Sequence, residues 1–307
     1  MAKHKSKIGG QALLEGIMMR GVRKSAMACR LPDGSIDTEV WNENPLKIHR
    51  KIPFVRGVFN FVSSLVTGYK CLMKSAEKQA LEEEKIKGQT DNKAGNEKSE
   101  KVVFGLLMGA AMVIGIAIAV GLFIFAPMQI VKFTEGFITN SIVKTVLEGI
   151  VKILLFALYL WATSLMKDLR RTYEYHGAEH KTIACFESGE ELTVENIKKH
   201  SRFHPRCGTS FLFLVMFVSI FAHSFLKWDN IFIRMGISIA MLPFIVGITY
   251  ELIRIAGSFD NIFTRILSAP GMALQRLTTK EPDDLQIEIA VAAITPCLPE
   301  NLEEDQW

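Results

Sequence analysis

The stretch VVFGLLMGAAMVIGIAIAVGLFIFA, residues 102–126, carries no charged side chain. At about 1.5 Å per residue, a helix of this length exceeds the roughly 30 Å hydrocarbon core of a bilayer. The whole chain of 307 residues is 49% hydrophobic, and its mean hydropathy is +0.21. These values are high for a soluble protein of this size. The sequence therefore predicts a membrane protein whose first span lies here.

Three further apolar stretches follow. They are VLEGIVKILLFALYLWATSLM at 146–166, FLFLVMFVSIFAHSFL at 211–226 and IFIRMGISIAMLPFIVGITYEL at 231–252. The last two are close in sequence, which favours a hairpin of spanning helices. We therefore expect a mainly α-helical, polytopic membrane protein with about four transmembrane helices between residues 102 and 252.

Lysine and arginine are unevenly distributed among the remaining segments. Residues 1–101 carry 19 of them, 127–145 carry 2, 167–210 carry 8, and the tail after 252 carries 4. Because positively charged segments stay on the inner side of a membrane, both termini and the loop 167–210 are expected in the cytoplasm. The same bias explains the formal net charge of +4. We expect the lipid bilayer as partner and no nucleic acid.

Four regions follow from this pattern. Residues 1–76 are expected to form a cytoplasmic unit, with a small β unit and hairpin at 9–41 and an amphipathic helix from Pro53. That helix either lies flat on the membrane or packs on the protein's own helices. Residues 77–101 are charged and predict a flexible linker. The transmembrane region 102–252 follows, and the segment 253–307 is cytoplasmic, with a helix at 281–294 or, alternatively, a strand.

The loop 167–210 contains a histidine pair with an adjacent carboxylate. His176, Glu179 and His180 stand in the order HxxEH. On a helix, the two histidines lie on one face with the glutamate beside them. This spacing suits two metal ligands and a general base.

A second short motif, HPRCG, lies downstream. Pro205 disfavours helical geometry at His204, so His204 and Cys207 are expected in a tight loop before the third span. Two helical imidazoles with an imidazole and a thiolate from this loop form a ligand set that Zn²⁺ favours. Four filled positions would make a structural site, whereas an open one would hold a water that Glu179 can deprotonate. The alternative is that these side chains cap helices or bind lipid phosphate.

Two other carboxylates are candidates for the same site. Glu251 ends the fourth apolar stretch and could serve as a further metal ligand, or else form a salt bridge with Arg254. Glu15 interrupts the glycine-flanked run GGQALLEGIMMRG and could contribute catalytically, or else lie on a surface strand or turn. Of the five cysteines, Cys185 is expected in the core, and His200 either joins the cluster or is solvated. Reduced thiols or metal ligands are favoured over disulfides.

The motifs GGQALLEGIMMRG, YHGAEHKTIACFE, HPRCGTSFL, YELIR and PGMALQRLTTKEPDDLQIEIAVAA occur in this order. Together they resemble the YqhQ family of bacterial integral membrane proteins, described as predicted metal-dependent enzymes of unknown function. The resemblance implies a multi-pass protein of the bacterial inner membrane with a metal centre. It matches at Glu15, His176, Glu179, His180, His204, Cys207 and Glu251.

Two classes of function are favoured on this basis, and a transporter ranks third because the predicted spans contain few ionisable groups near the middle of the membrane. The first is a metal-dependent hydrolase at the cytoplasmic membrane surface, acting on lipid or membrane-protein substrates, with Glu179 or Glu15 moving protons. The second is a non-enzymatic membrane scaffold or regulator with a structural metal site. A scaffold should keep its function when Glu179 is replaced by glutamine, whereas the hydrolase should lose it.

Overall fold

The N-terminal region forms an antiparallel sheet, and most of the remaining chain is helical, as the sequence predicts. The structure is a computed structural model that describes residues 4–43, 52–86, 97–134, 136–224 and 231–307. The centre of the predicted linker 77–101 and the turn between the last two predicted spans lie outside these ranges.

The sheet contains β1 (Gly9–Leu13), β2 (Gly16–Arg20), β3 (Lys24–Arg30) and β4 (Ile36–Asn42), each pairing with the next. The predicted hairpin is confirmed as β3 and β4, whose turn contains Gly34 at φ 89°. Glu15 occupies the turn between β1 and β2 at φ 48°, a conformation that few residues other than glycine adopt.

Alternation along the strands gives the sheet two buried faces. One face carries Ile17, Met19 and Ala28 and belongs to a core that also contains helical residues such as Tyr175 and Ile287. The opposite face carries Leu13, Met18 and Met27 and packs with Cys71 of the helix that follows the sheet in sequence. The sheet is therefore covered by helices on both sides.

The described part of the chain contains helices of 6 to 32 residues. They are α1 (Val55–Ile86), α2 (Glu97–Val120), α3 (Ala126–Lys132), α4 (Ser141–Ser164), α5 (Lys167–Ser188), α6 (Val194–Lys199), α7 (Gly208–Ser224), α8 (Ile231–Ser258), α9 (Ile262–Thr278) and α10 (Asp284–Ile294). A π-helical segment, Gly121–Phe125, joins α2 to α3, and a 3-10 turn, Thr295–Cys297, follows α10.

Among the described residues, two helical stretches are long and apolar enough to cross a membrane, Gly105–Lys132 and Met235–Ser258. They contain most of the first and fourth predicted spans. The second and third predicted spans are also helical, as α4 and α7, and the described part of α7 has 17 residues. The structure thus supports two candidate spans within a mainly helical fold.

Other local predictions are confirmed. The amphipathic helix begins two residues after Pro53 as α1. The segment 281–294 forms α10, and its N-cap Asp283 accepts a hydrogen bond from the Gln286 amide, so the strand alternative is wrong. The structure also contains helix α9, which the sequence analysis does not predict.

The chain divides into two compact units. The first comprises the described parts of Met1–Glu82, Leu160–Val215 and Leu242–Trp307, and it contains the sheet and the histidine-rich loop. The second comprises those of Glu83–Tyr159 and Met216–Met241, and it is helical.

Candidate metal centre

Helix α5 presents the HxxEH motif as the sequence predicts. His176 and His180 are one helical turn apart, and their ring centroids are separated by 4.4 Å. Tyr175 and Ala178 of the same helix are fully buried in the core beside the sheet. This anchoring positions both imidazoles on the side of α5 that faces the HPRC loop.

The loop between α6 and α7 brings Cys207 to the two histidines. Gln275 of α9 fixes the loop, because its side-chain oxygen accepts from the His204 amide at 2.8 Å and its side-chain nitrogen donates to the His204 carbonyl at 2.7 Å. Cys207 Sγ lies 3.2 Å from His176 Nε2. One ligand atom from each of His176, His180 and Cys207 lies within 4.8 Å of the others.

Backbone carbonyls determine which nitrogen of each imidazole faces the site. His176 Nδ1 lies 2.9 Å from the Thr278 carbonyl, and His180 Nδ1 lies 2.6 Å from the Arg202 carbonyl. Since a carbonyl only accepts, both Nδ1 atoms must carry the proton and donate it. The two Nε2 atoms are therefore the ligand positions, which is the arrangement that orients metal-binding histidines in proteins.

The local charges favour a thiolate at Cys207. Burial opposes its ionisation, but the His176 and His180 imidazoles hold the pKa of the Cys207 thiol well below its ordinary value. Burial alone would lower the pKa of His176, yet the Cys207 sulfur raises it to about 9. The Thr209 amide also donates to Cys207 Sγ at 3.4 Å, near the start of α7. The sulfur is thus prepared as an anionic ligand.

Glu179 is almost completely buried, and its carboxylate interacts electrostatically with His176, His180 and Cys207. Its Oε2 has no hydrogen-bond partner among the described residues. Burial raises the pKa of Glu179, and the two imidazoles oppose this rise. A buried carboxylate oxygen without a partner is costly, so its position next to the imidazoles indicates a group available for a ligand or a proton.

These residues could hold a metal ion in a tetrahedral site. With Zn–N near 2.0 Å and Zn–S near 2.3 Å, neighbouring ligand atoms in a tetrahedral site are about 3.5 Å apart. The 3.2 Å between His176 Nε2 and Cys207 Sγ is compatible with this value. Two nitrogens and one sulfur would fill three positions and leave a fourth, as in catalytic zinc sites.

His204 is placed differently from its loop neighbour Cys207. Its ring centroid lies 5.5 Å from that of His180, but Arg206 Nη2 lies 3.1 Å from His204 Nε2 and donates to it. Burial lowers the pKa of His204, and the Glu187 carboxylate, whose Oε2 lies 3.9 Å from His204 Nε2, opposes this. His204 therefore lies next to the His176, His180 and Cys207 group, with its Nε2 turned to the arginine.

The structure places the other two predicted carboxylates against arginines. Glu15 accepts from Arg171 Nη2 at 2.6 Å and from the Tyr175 hydroxyl at 3.1 Å, which links the β1–β2 turn to α5. Glu251 accepts from Arg56 Nε at 2.8 Å and from the Phe54 amide. Neither belongs to the group around Cys207, and their predicted roles remain predictions.

A second group of possible ligands lies at the C-terminal end of α5. Ligand atoms of Cys185, Glu190 and His200 lie within 4.8 Å of one another. Cys185 is buried in the core, as predicted, and burial raises the pKa of its thiol to about 11. Glu190 was not recognised in the sequence because it lies outside both histidine motifs. The Cys185 thiol therefore ionises less readily than that of Cys207 and is a weaker candidate for a metal ligand.

Gly177 provides a test of how α5 is positioned. A Cβ atom at this position would lie 2.0 Å from the Lys280 carbonyl oxygen, so α5 would have to move away from the Thr278–Lys280 backbone. We expect Gly177→Ala to destabilise the protein by about 1–3 kcal/mol and to weaken metal binding, although no ligand is removed. Thermal melting and metal content check both effects.

Gly208→Ala is the matched control. It lies next to Cys207, but a Cβ atom there would meet no atom within 4 Å. Equal melting temperatures and metal contents for the two variants would contradict the close packing of α5 against Lys280.

The fold and these residues together define a class: a mainly helical protein with two candidate membrane spans and a His₂Cys group able to hold a metal ion. A family model described as "Protein of unknown function (DUF1385)" matches residues 52–300, and the chain belongs to this family. The chain is 33% identical over 311 residues to "Uncharacterized protein YqhQ" of Bacillus subtilis (strain 168), covering 97% of this chain and 95% of the relative. The predicted family is thereby confirmed. No solved structure matches the chain significantly.

Proposed function

We propose that the protein is a metal-dependent membrane enzyme, a hydrolase acting at the cytoplasmic surface of the bacterial inner membrane. The observation that carries this proposal is the buried Glu179 carboxylate, whose Oε2 has no partner among the described residues and whose charge interacts with His176, His180 and Cys207. A purely structural site would need neither a spare carboxylate nor an open ligand position.

The proposal places four membrane spans in the protein, the two candidate spans and two further apolar helices. One candidate span runs from α2 through the π-helical segment to the end of α3, and the other lies in α8. Helices α4 and α7 carry the two other apolar stretches. With four spans, both termini and the loop 167–210 lie on the same side, and the lysine and arginine distribution puts that side in the cytoplasm. The regions 1–76, 77–101, 102–252 and 253–307 are the corresponding domains of this proposal.

His176, His180 and Cys207 would hold the metal, which we expect to be Zn²⁺. When bound, such an ion polarises a carbonyl or phosphoryl oxygen and makes water more acidic. The carbonyls of Thr278 and Arg202 keep both imidazoles oriented through Nδ1. Glu179 would accept a proton at Oε2 and later return it to the leaving group. Lipid or membrane-protein substrates suit a site beside the bilayer.

Glu179→Gln tests catalysis separately from structure. The amide keeps the size of the side chain but cannot accept a proton, and loss of a general base lowers a rate roughly 10²- to 10⁴-fold. We expect the variant to retain its metal and melting temperature but fail to complement a strain deleted for the gene.

Glu288→Gln, at an exposed position on α10, is the control and should complement fully. Full complementation by Glu179→Gln would reject the enzyme and favour a scaffold with a structural metal.

A further inference from the structure

A basic cleft lies in the first unit among β1, β2, α1, α8 and the end of the chain. Its volume is about 570 Å³, within the range of small-molecule sites. Four cationic side chains contribute to its walls: Lys7, Arg20, Arg56 and Arg254. None of these residues, and none of the other cleft residues, belongs to the His176, His180 and Cys207 group.

The positive charge of this cleft is only partly neutralised. Arg20 Nη2 lies 3.0 Å from Glu43, and Arg56 pairs with Glu251. Lys7 Nζ donates only to a backbone carbonyl, that of Glu304. The Arg254 guanidinium makes no hydrogen bond or ion pair within the part of the chain that the structure describes. Glu251 interacts with Arg254 only through its charge, and Glu304 with Lys7 likewise, so the Arg254 guanidinium keeps its hydrogen-bond donors available for an anionic ligand.

Neutral donors complete the polar wall. Arg56, Asn60 and Ser64 follow one another at four-residue steps along α1 and all line the cleft. Asn60 Nδ2 donates to the Tyr250 hydroxyl at 2.8 Å, which fixes both side chains at the wall between α1 and α8. Hydroxyl and amide groups beside arginines are typical of sites that bind phosphate oxygens.

Helix α8, which lines the cleft through Tyr250 and Arg254, also carries exposed apolar side chains. On α8, Phe244 and Ile248 are 73% and 41% exposed and lie within the candidate span Met235–Ser258. Because α8 carries both cleft residues and exposed apolar residues, a ligand with a charged head and apolar chains fits better than a soluble anion.

We propose that this cleft binds the headgroup of an anionic phospholipid, with the phosphate next to Arg254 and Arg20 and the acyl chains along the apolar surface of α8. The site goes beyond the proposed enzyme and shares with it only the membrane placement of α8. Metal content and lipid binding are separate measurements, so either proposal can fail alone.

Native mass spectrometry of the detergent-solubilised full-length protein tests the site, with phosphatidylglycerol, phosphatidylcholine or glycerol 3-phosphate added. The wild type should bind phosphatidylglycerol at least about tenfold more tightly than phosphatidylcholine, and Arg254→Gln should lose about tenfold in phosphatidylglycerol affinity. The control Arg265→Gln removes an exposed arginine of α9 that pairs with Asp260 outside the cleft, and it should bind like the wild type.

Asn60→Asp tests the same site independently, in case Arg254→Gln does not fold. Its carboxylate can accept from Tyr250 but adds a negative charge to the cleft, so phosphatidylglycerol affinity should again fall. Equal binding of the two lipids by the wild type, or equal affinities for Arg254→Gln and Arg265→Gln, would overturn the proposal. Binding of glycerol 3-phosphate as tightly as phosphatidylglycerol would assign the cleft to a soluble phosphate and overturn the lipid.

Discussion

Replacing both His176 and His180 with alanine is expected to lower the zinc content of the purified protein from about one ion per chain to nearly none. The reason is that two of the three ligand atoms that the fold brings within 4.8 Å of one another disappear. Cys207 alone cannot hold the ion against solvent. Elemental analysis after size-exclusion chromatography in detergent measures the metal directly, and the same sample gives the protein concentration.

Two controls separate this centre from other histidines. His223→Ala removes a histidine of the second unit that hydrogen-bonds to Ser238, and its metal content should equal that of the wild type. His200→Ala tests the group of Cys185, Glu190 and His200. Equal metal in the wild type and the double variant would remove His176 and His180 as ligands. Loss of metal in His200→Ala alone would move the ion to the second group.

The second large effect concerns the buried ion pair of Glu187 and Arg206. Glu187 Oε1 accepts from the Ser6 amide at 2.7 Å and from Arg206, and both side chains are at least 90% buried. Glu187→Gln leaves the arginine charge buried without its carboxylate. We expect a loss of about 3–5 kcal/mol in the free energy of unfolding, measured by denaturation in detergent.

The double variant Glu187→Gln with Arg206→Met should recover part of this loss, because no unpaired charge remains. Glu195→Gln, at an exposed position on α6, should change stability by less than about 0.5 kcal/mol. If Glu187→Gln were no more destabilising than Glu195→Gln, the ion pair would not contribute to the stability of this fold.

The same pair predicts a pH dependence. Burial opposes ionisation of Glu187, but His204 and Arg206 lower the pKa of its carboxyl to about 2, against an ordinary 4.5. Between these values the unfolded chain binds the proton more readily than the folded one. The stabilisation is therefore complete above about pH 4.5 and declines as the pH falls towards 2. The melting temperature of the wild type should fall over this interval, and that of Glu187→Gln should fall less.

Local sequence patterns determined much of the fold. The charge-free run 102–126, the strand pattern of the hairpin within 9–41 and the helical spacing after Pro53 each predicted an element that the structure contains. The histidine pair was predictable for the same reason, because side chains four residues apart lie on one face of any helix. Such patterns depend on the backbone period alone and need no knowledge of distant contacts.

The tertiary structure decided which side chains meet. His204 and Cys207 lie in one loop without a regular period, so their sequence could not show that Cys207 faces His176 while His204 faces Arg206. That choice depends on Gln275, 71 residues from His204. Likewise, Glu15 and Glu251 face arginines 156 and 195 residues away. The sequence by itself therefore determined the elements and the candidate ligands, whereas long-range packing selected the three ligand atoms that converge, because side-chain direction in a loop depends on distant contacts.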